Sequence, residues 1–333
     1  MGLLVEGRWQ DQWYESSKDG SFQREQAQRR NWVTRDGSPG PSGEGGFKAE
    51  AGRYHLYVSL ACPWAHRTLI VRTLKGLEGL IDVSVVSWLM RENGWTFDTP
   101  TGSTGDLLDG HRFMYERYLA DTPSYTGRVT VPVLWDKKLQ RIVSNESSEI
   151  IRMFNSAFDE LTGNRLNLYP ATLRPEINRL NDAIYPAVNN GVYRAGFATS
   201  QGAYEEAFDD VFAELDSLEK LLSAKRYLAG EYLTEADVRL FTTLIRFDAV
   251  YHGHFKCNLR RITDYPNLSN WVRELYQLPG VAETVDFVHI KHHYYASHAT
   301  INPTGIVPKG PALAFSGEHD RERLNGGGIW QNA

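Results

Sequence analysis

The chain is most constrained at Cys62-Pro63. Proline has a fixed φ and no N–H, so it suits the first helical position, where an N–H would find no partner. Ahead of it, Tyr54-His-Leu-Tyr-Val-Ser59 has the tyrosine and valine content of a strand. Behind it, Leu69, Ile70, Thr73, Leu74 and Leu77 recur at helical spacing, and Gly76 and Gly79 mark the exit. Ile81-Asp-Val-Ser-Val-Val-Ser87 then reads as a second strand. A strand, a helix and a strand in this order form a βαβ unit with a parallel pair.

The next stretch, residues 88–127, is longer than an ordinary connection and carries one expected helix, near Gly110–Leu119. Val131-Pro-Val-Leu-Trp135 and Arg141-Ile-Val143 follow as a hairpin joined by Asp136-Lys-Lys138, and Ser144-Asn-Glu-Ser-Ser148 opens another helix. Beyond residue 165 the pattern changes. Pro175–Val188, Gln201–Leu222, Thr234–Tyr251 and Asn267–Leu278 all show helical spacing. Thr234-Glu-Ala-Asp237 is a capping-box start, with Leu233 and Val238 placed as a hydrophobic staple. The expected fold is therefore α/β followed by all-α. Its parts are an N-terminal extension (1–52), an α/β domain (53–160, with the insertion at 88–127), an all-helical domain (165–298) and a tail (299–333) that packs irregularly or frays.

Composition narrows the function. The 41 acidic residues against 36 basic ones give a net charge of -5, unlike a dedicated nucleic-acid binder, which needs a basic surface. Two cysteines in 333 residues cannot build a disulfide framework and point to a reducing compartment. Neither a signal peptide nor an apolar run of roughly 20 residues is visible, so a soluble cytoplasmic protein is expected, with no membrane partner. Aromatic residues reach 12%, with 17 tyrosines, enough for large core residues and a helical interface.

Cys62 is the first chemical candidate. Between a strand and a helix its sulfur faces unpaired N–H groups and the positive end of the helix dipole, and both favour thiolate. The sequence continues Trp64-Ala65, so no second cysteine stands at the redox-pair position, and nothing brings Cys257 within reach. A disulfide formed at Cys62 needs an external thiol to resolve it, and glutathione is the abundant cytosolic choice. Arg128-Val-Thr-Val131-Pro132 and Asn145-Glu146-Ser147 form a second constellation. A cis Val131–Pro132 bond would offer the Val131 backbone to a ligand's peptide group. Glu146 and Ser147 at a helix start suit an α-amino group and an α-carboxylate, although each is also an ordinary capping residue. His252, His254, Cys257, His289, His292 and His293 have ligand chemistry but no structural-zinc spacing, so no metal is expected. The charged run Arg24–Arg30 is expected as a solvated face or a lid contact. No phosphate-binding glycine loop joins a strand to a helix, so no permanently bound cofactor is expected.

These motifs, taken in order, resemble the glutathione transferase superfamily, and within it the xi class, the glutathionyl-hydroquinone reductases. The resemblance rests on Leu56–Arg67, Glu92–Phe97, Arg128–Lys137, Ile142–Ser147, Asn189–Phe197, Leu233–Arg239 and Ile301–Gly305, nearly the whole chain. It implies a thioredoxin-like N-terminal domain, an all-helical C-terminal domain and a homodimer. It also implies roles. Cys62 is the nucleophile, and Trp95, Arg128 and the Val131 backbone hold glutathione. Glu146 and Ser147 take its γ-glutamyl end. Tyr193 donates or accepts a proton at the hydroquinone, while Tyr251 and Tyr294 hydrogen-bond the ligand and lower the cysteine's pKa. Tyr294 is followed by Tyr295, and a one-residue slip would exchange them.

The implied reaction reduces glutathionyl-hydroquinones to hydroquinones with glutathione as co-substrate. Two other readings use the same residues. One is a broader thiol transferase or dehydroascorbate reductase, and the other is a non-catalytic glutathione-binding regulator.

Overall fold

The computed structural model describes residues 2–14 and 16–331; Met1 and Glu15 of the expected extension and Asn332 and Ala333 of the expected tail lie outside the described residues. In chain order the elements are β1 (Leu3–Val5), β2 (Arg8–Gln10), β3 (Tyr54–Val58), α1 (Pro63–Leu74), β4 (Ile81–Val85), α2 (Met114–Asp121), β5 (Gly127–Arg128), β6 (Val133–Asp136), β7 (Arg141–Ser144), α3 (Ser147–Ser156) and α4 (Asp159–Thr162). Then follow α5 (Arg174–Ile184), α6 (Gly191–Gly196), α7 (Gln201–Ala224), β8 (Tyr232–Leu233), α8 (Glu235–Arg246), α9 (Pro266–Tyr276), α10 (Phe287–Ser297) and β9 (Gly328–Ile329). Two units divide the chain. The first is Met1–Tyr14, Glu25–Asn164 and Thr284–Val307, and the second is Glu15–Arg24, Arg165–Glu283 and Pro308–Ala333. Among the described residues no helix is long and apolar enough to cross a membrane.

The first unit is built on a four-stranded sheet ordered β4-β3-β6-β7. β3 runs parallel to β4, with Tyr54 opposite Ile81, and antiparallel to β6, with Tyr57 opposite Val133. All five β3 residues are buried, as a central strand covered on both faces requires. α1 starts at Pro63, as the missing N–H demands, and packs against α3. This is the thioredoxin-like βαβ-ββα arrangement.

The N-terminal extension holds more structure than its composition suggests. β1 and β2 form a hairpin whose loop residues Glu6 and Gly7 both have positive φ (48° and 77°), and β1 also pairs with β5. Strands of three residues are too short to display an alternating pattern. Within the insertion, the buried Asp106 accepts from the Tyr57 hydroxyl (2.9 Å), the Leu108 and His111 amides (3.1 Å each) and the Arg117 guanidinium (2.9 Å). Burial pushes the Asp106 carboxyl up, but these donors outweigh it and hold it below the usual carboxylate range. Its stabilisation is present above that range and is lost as acid protonates it. Arg117 is fully buried and lies over the Trp135 and Tyr57 rings, 4.5 and 5.1 Å from their centroids. Arg117→Ala strands a buried carboxylate and should cost about 3–5 kcal/mol in urea denaturation; a loss below about 1 kcal/mol would contradict this account of the insertion.

The second unit is helical, with α7 packed against α6 and α9. The capping box forms as expected. Thr234 donates through its amide (2.9 Å) and its hydroxyl (3.0 Å) to Asp237, whose other oxygen accepts from the Leu228 amide and the Trp271 indole. Burial pushes the Asp237 carboxyl up to about 6. Two π turns interrupt the helices. Tyr185–Asn189 leads to α6, and Phe247–Tyr251 ends on Tyr251.

One expectation needs correction, and one resolves between its alternatives. The helical domain was expected to run through residue 298, yet Thr284–Val307, with α10, belongs to the first unit. Ring contacts hold it there, His292 on Trp88 (4.9 Å) and His293 on Trp95 (4.8 Å), together with a bond from the Met90 amide to Ser297 (3.0 Å). Its sequence, Phe-Val-His-Ile-Lys-His-His-Tyr-Tyr, spreads apolar residues around the helix and shows no stripe. The tail, expected to pack irregularly or fray, packs irregularly and is pinned. β9 pairs with β8, and the buried Arg321 donates to the Leu222 carbonyl (2.7 Å) and the Lys225 and Arg226 carbonyls (2.5 and 2.6 Å), capping the end of α7.

Candidate active site

Cys62 is the N-cap of α1 in extended conformation, and no acidic residue follows in the first turn. The half-exposed thiol lies 3.6 Å from the Val131 carbonyl, and the Val131–Pro132 bond is cis. Neither Cys62 nor Cys257 forms a disulfide. Ser147 begins α3, and Glu146 is its N-cap, accepting from the Ser148 amide (2.9 Å) and hydroxyl (2.8 Å).

Arg67, which the sequence reading passed over, links the two helix starts. It is buried, sits over the Trp64 ring (4.5 Å to the centroid) and donates to the Ser147 hydroxyl at 3.4 Å. A signal was available. Arg67 precedes the buried Ile70 and Val71 by three and four positions, so it lies on the inward face of α1.

The remaining first-unit candidates are Trp95, Arg128 and Tyr294. Trp95 is buried, stacks on His293 (4.8 Å, 21°), and its indole N–H has no hydrogen-bond partner among the described residues. His293 is fixed in turn through Nδ1 at 2.9 Å from the Trp88 carbonyl. Arg128 engages the N-terminal segment. It pairs with Glu25 (2.8 Å), donates to the Gln12 and Trp13 carbonyls, and lies over the Tyr14 ring. Tyr294 is buried, with His293 and His298 rings at its edge, whereas Tyr295 is half-exposed.

Tyr193 and Tyr251 belong to the second unit, with ring centroids 6.0 Å apart. The Phe255 ring packs on both at 5.4 Å. Gly196 permits this, because a Cβ there would stand 2.2 Å from the Phe255 ring. Of the candidate metal ligands, His254 and Cys257 are buried in this unit. Burial pushes His254 down to about 4 and Cys257 up to about 12. Asp106, Asp109 and His111 do gather within ligand distance of one another, but both carboxylates pair with Arg117, which offsets one of their two negative charges.

A thioredoxin-like sheet, a cysteine-proline helix start beside a cis-proline and a separate helical unit define a glutathione transferase. Residues 61–157 match the family described as Glutathione S-transferase, N-terminal domain, and residues 201–274 match Glutathione S-transferase, C-terminal domain. The chain is 60% identical to the glutathionyl-hydroquinone reductase YqjG of Escherichia coli K12, over 97% of this chain and 99% of that protein. The structure of YqjG solved with glutathione bound aligns with a TM-score of 0.89, covering 96% of this chain and 99% of that one. The glutathionyl-hydroquinone reductase PcpF of Sphingobium chlorophenolicum is 54% identical, over 95% and 98% of the two chains. A xi-class transferase from Natrialba magadii aligns with a TM-score of 0.89 at 47% identity, covering 98% of each. The chain belongs to the glutathionyl-hydroquinone reductases, the xi class of the glutathione transferase superfamily.

Proposed function

We propose that this glutathionyl-hydroquinone reductase works through a Cys62–glutathione mixed disulfide that a second glutathione resolves. The observation that carries the reading is the position of the Cys62 sulfur, at the N-terminus of α1 and 3.6 Å from the Val131 carbonyl. A helix N-terminus favours thiolate over thiol, and the buried Arg67 guanidinium one turn further adds positive charge. The thiolate attacks the glutathionyl sulfur, and the electron pair of the carbon–sulfur bond passes to the aromatic carbon. That carbon leaves poorly unless it is protonated, and the Tyr193 phenol supplies the proton. The second glutathione gives its thiol proton back to Tyr193 and, as thiolate, attacks Cys62-S-SG to release glutathione disulfide.

Glutathione itself would be held by Trp95, Arg128, the Val131 backbone, Glu146 and Ser147. The unpartnered Trp95 N–H and the Ser147 amide at the start of α3 are donors of the kind a carboxylate needs. Tyr251 and Tyr294 would bond the ring hydroxyls, and the burial of Tyr294 beside its half-exposed neighbour favours it over Tyr295. The product balance tests the scheme. Each turnover should yield one hydroquinone and one glutathione disulfide, and hydroquinone release without glutathione disulfide would refute it. The homodimer and the cytoplasmic setting belong to the same proposal. Light scattering should return about twice the 37.8 kDa chain mass, and residence in an oxidising compartment would contradict the supply of glutathione.

A further inference from the structure

Arg24 opens the charged run expected as a solvated face or a lid contact, and it lies over an aromatic ring. Residues 16–24 belong to the second unit and are held to the rest of it at several points. Ser200, the N-cap of α7, donates its hydroxyl to the Asp19 carbonyl at 2.6 Å, and the Thr199 amide bonds the Gly20 carbonyl at 2.9 Å. The buried Phe22 ring packs on Phe197 at 5.4 Å. Arg24 is thereby delivered over the Tyr193 ring, its guanidinium 4.8 Å from the centroid. Its Nε donates to the Asn190 side chain at 2.8 Å, which ties the fork to the residue just before α6, the helix that carries Tyr193.

We propose that Arg24 is a positioning residue for the Tyr193 phenol, fixing its ring and favouring the negative charge that develops there as its proton leaves. The inference rests on the role given to Tyr193 above. A cation over the face of a neutral phenol is attracted modestly by the ring quadrupole. When the phenolic proton passes to the departing aromatic carbon, negative charge spreads into the ring and the attraction grows. The contact is then stronger in the transition state than in the ground state, and so it acts on kcat more than on KM. A disulfide substrate needs no carbon protonation, since its leaving group is a thiolate, and is therefore insensitive to Arg24.

The test compares Arg24→Met, Arg24→Lys, Tyr193→Phe and the Arg24→Met/Tyr193→Phe double variant. Two substrates are used, a glutathionyl-hydroquinone and the mixed disulfide of glutathione and 2-mercaptoethanol. Arg24→Met keeps an apolar stem and loses the charge. Its kcat on the hydroquinone substrate should fall about tenfold with KM within about twofold, and disulfide reduction should stay within about twofold. Arg24→Lys should recover part of the loss, because charge returns without the planar fork. On the Tyr193→Phe background, Arg24→Met should add less than about twofold, as expected of a residue acting through Tyr193.

Near-normal hydroquinone turnover in Arg24→Met, with Tyr193→Phe slow, would overturn the role of Arg24 and leave that of Tyr193 standing. Equal losses on both substrates, or a full additional loss in the double variant, would also overturn it by showing a merely structural part. Wild-type rates in Tyr193→Phe would overturn both.

Discussion

Cys62→Ser should lower hydroquinone release from a glutathionyl-hydroquinone by at least about 10³-fold. A serine hydroxyl keeps the cap position and nearly the same volume, but it neither ionises near neutral pH nor forms a bond to sulfur that a second thiol can exchange. The second cysteine cannot substitute. Cys257 is fully buried, and burial pushes its thiol up to about 12. Because serine is nearly isosteric with the half-exposed Cys62, the variant should fold normally and report on chemistry. Activity within about tenfold of the wild type would mean that glutathione's own sulfur, or another residue, does the work assigned to Cys62.

Tyr193→Phe should cost about 10²-fold in kcat on the same substrate, with KM changed by less than about twofold. The ring stays packed against Tyr251 and Phe255, so the substitution removes a single oxygen. The leaving group is an aromatic carbon, and without a proton donor it departs as a carbanion. The mixed disulfide of glutathione and 2-mercaptoethanol should still be reduced at nearly the wild-type rate, because its leaving thiolate needs no proton. Loss on both substrates alike would move Tyr193 from proton transfer to scaffolding. Unchanged turnover of the hydroquinone substrate would remove it from the mechanism.

Legibility in the sequence followed the length and regularity of the signal. Pro63, the spacing of Leu69, Ile70 and Leu74, and the Thr234 capping box each state a local rule, and the structure follows all of them. The four-stranded sheet was readable because β3 and β4 carry strand residues on both sides of one helix. The elements that escaped lack such rules. β1 and β2 are three residues each, and α10 has apolar residues all around. Arg321 caps α7 from a tail whose glycine and proline content suggested only irregular packing or fraying.

The same holds for the candidate site. Cys62, Val131, Glu146 and Ser147 could be read from local chemistry, a cysteine at a helix start, an X-Pro bond and a cap. Trp95, Tyr193, Tyr251 and Tyr294 could not, because nothing in an isolated aromatic residue distinguishes a ligand contact from core packing, and only the family resemblance singled them out. Arg67 was missed, and Arg24 was read only as part of a charged run, for a different reason. An arginine is usually a solvated charge, and what these two do depends on a hydroxyl or a ring distant in the chain.

The central claim is that the sulfur of glutathione passes to Cys62. Mass spectrometry after a single exposure to glutathionyl-hydroquinone, with no free glutathione present, tests it most directly. The Cys62 peptide should gain one glutathionyl group as one hydroquinone appears, and fresh glutathione should restore its original mass. Hydroquinone released while that peptide stays unmodified would contradict the account.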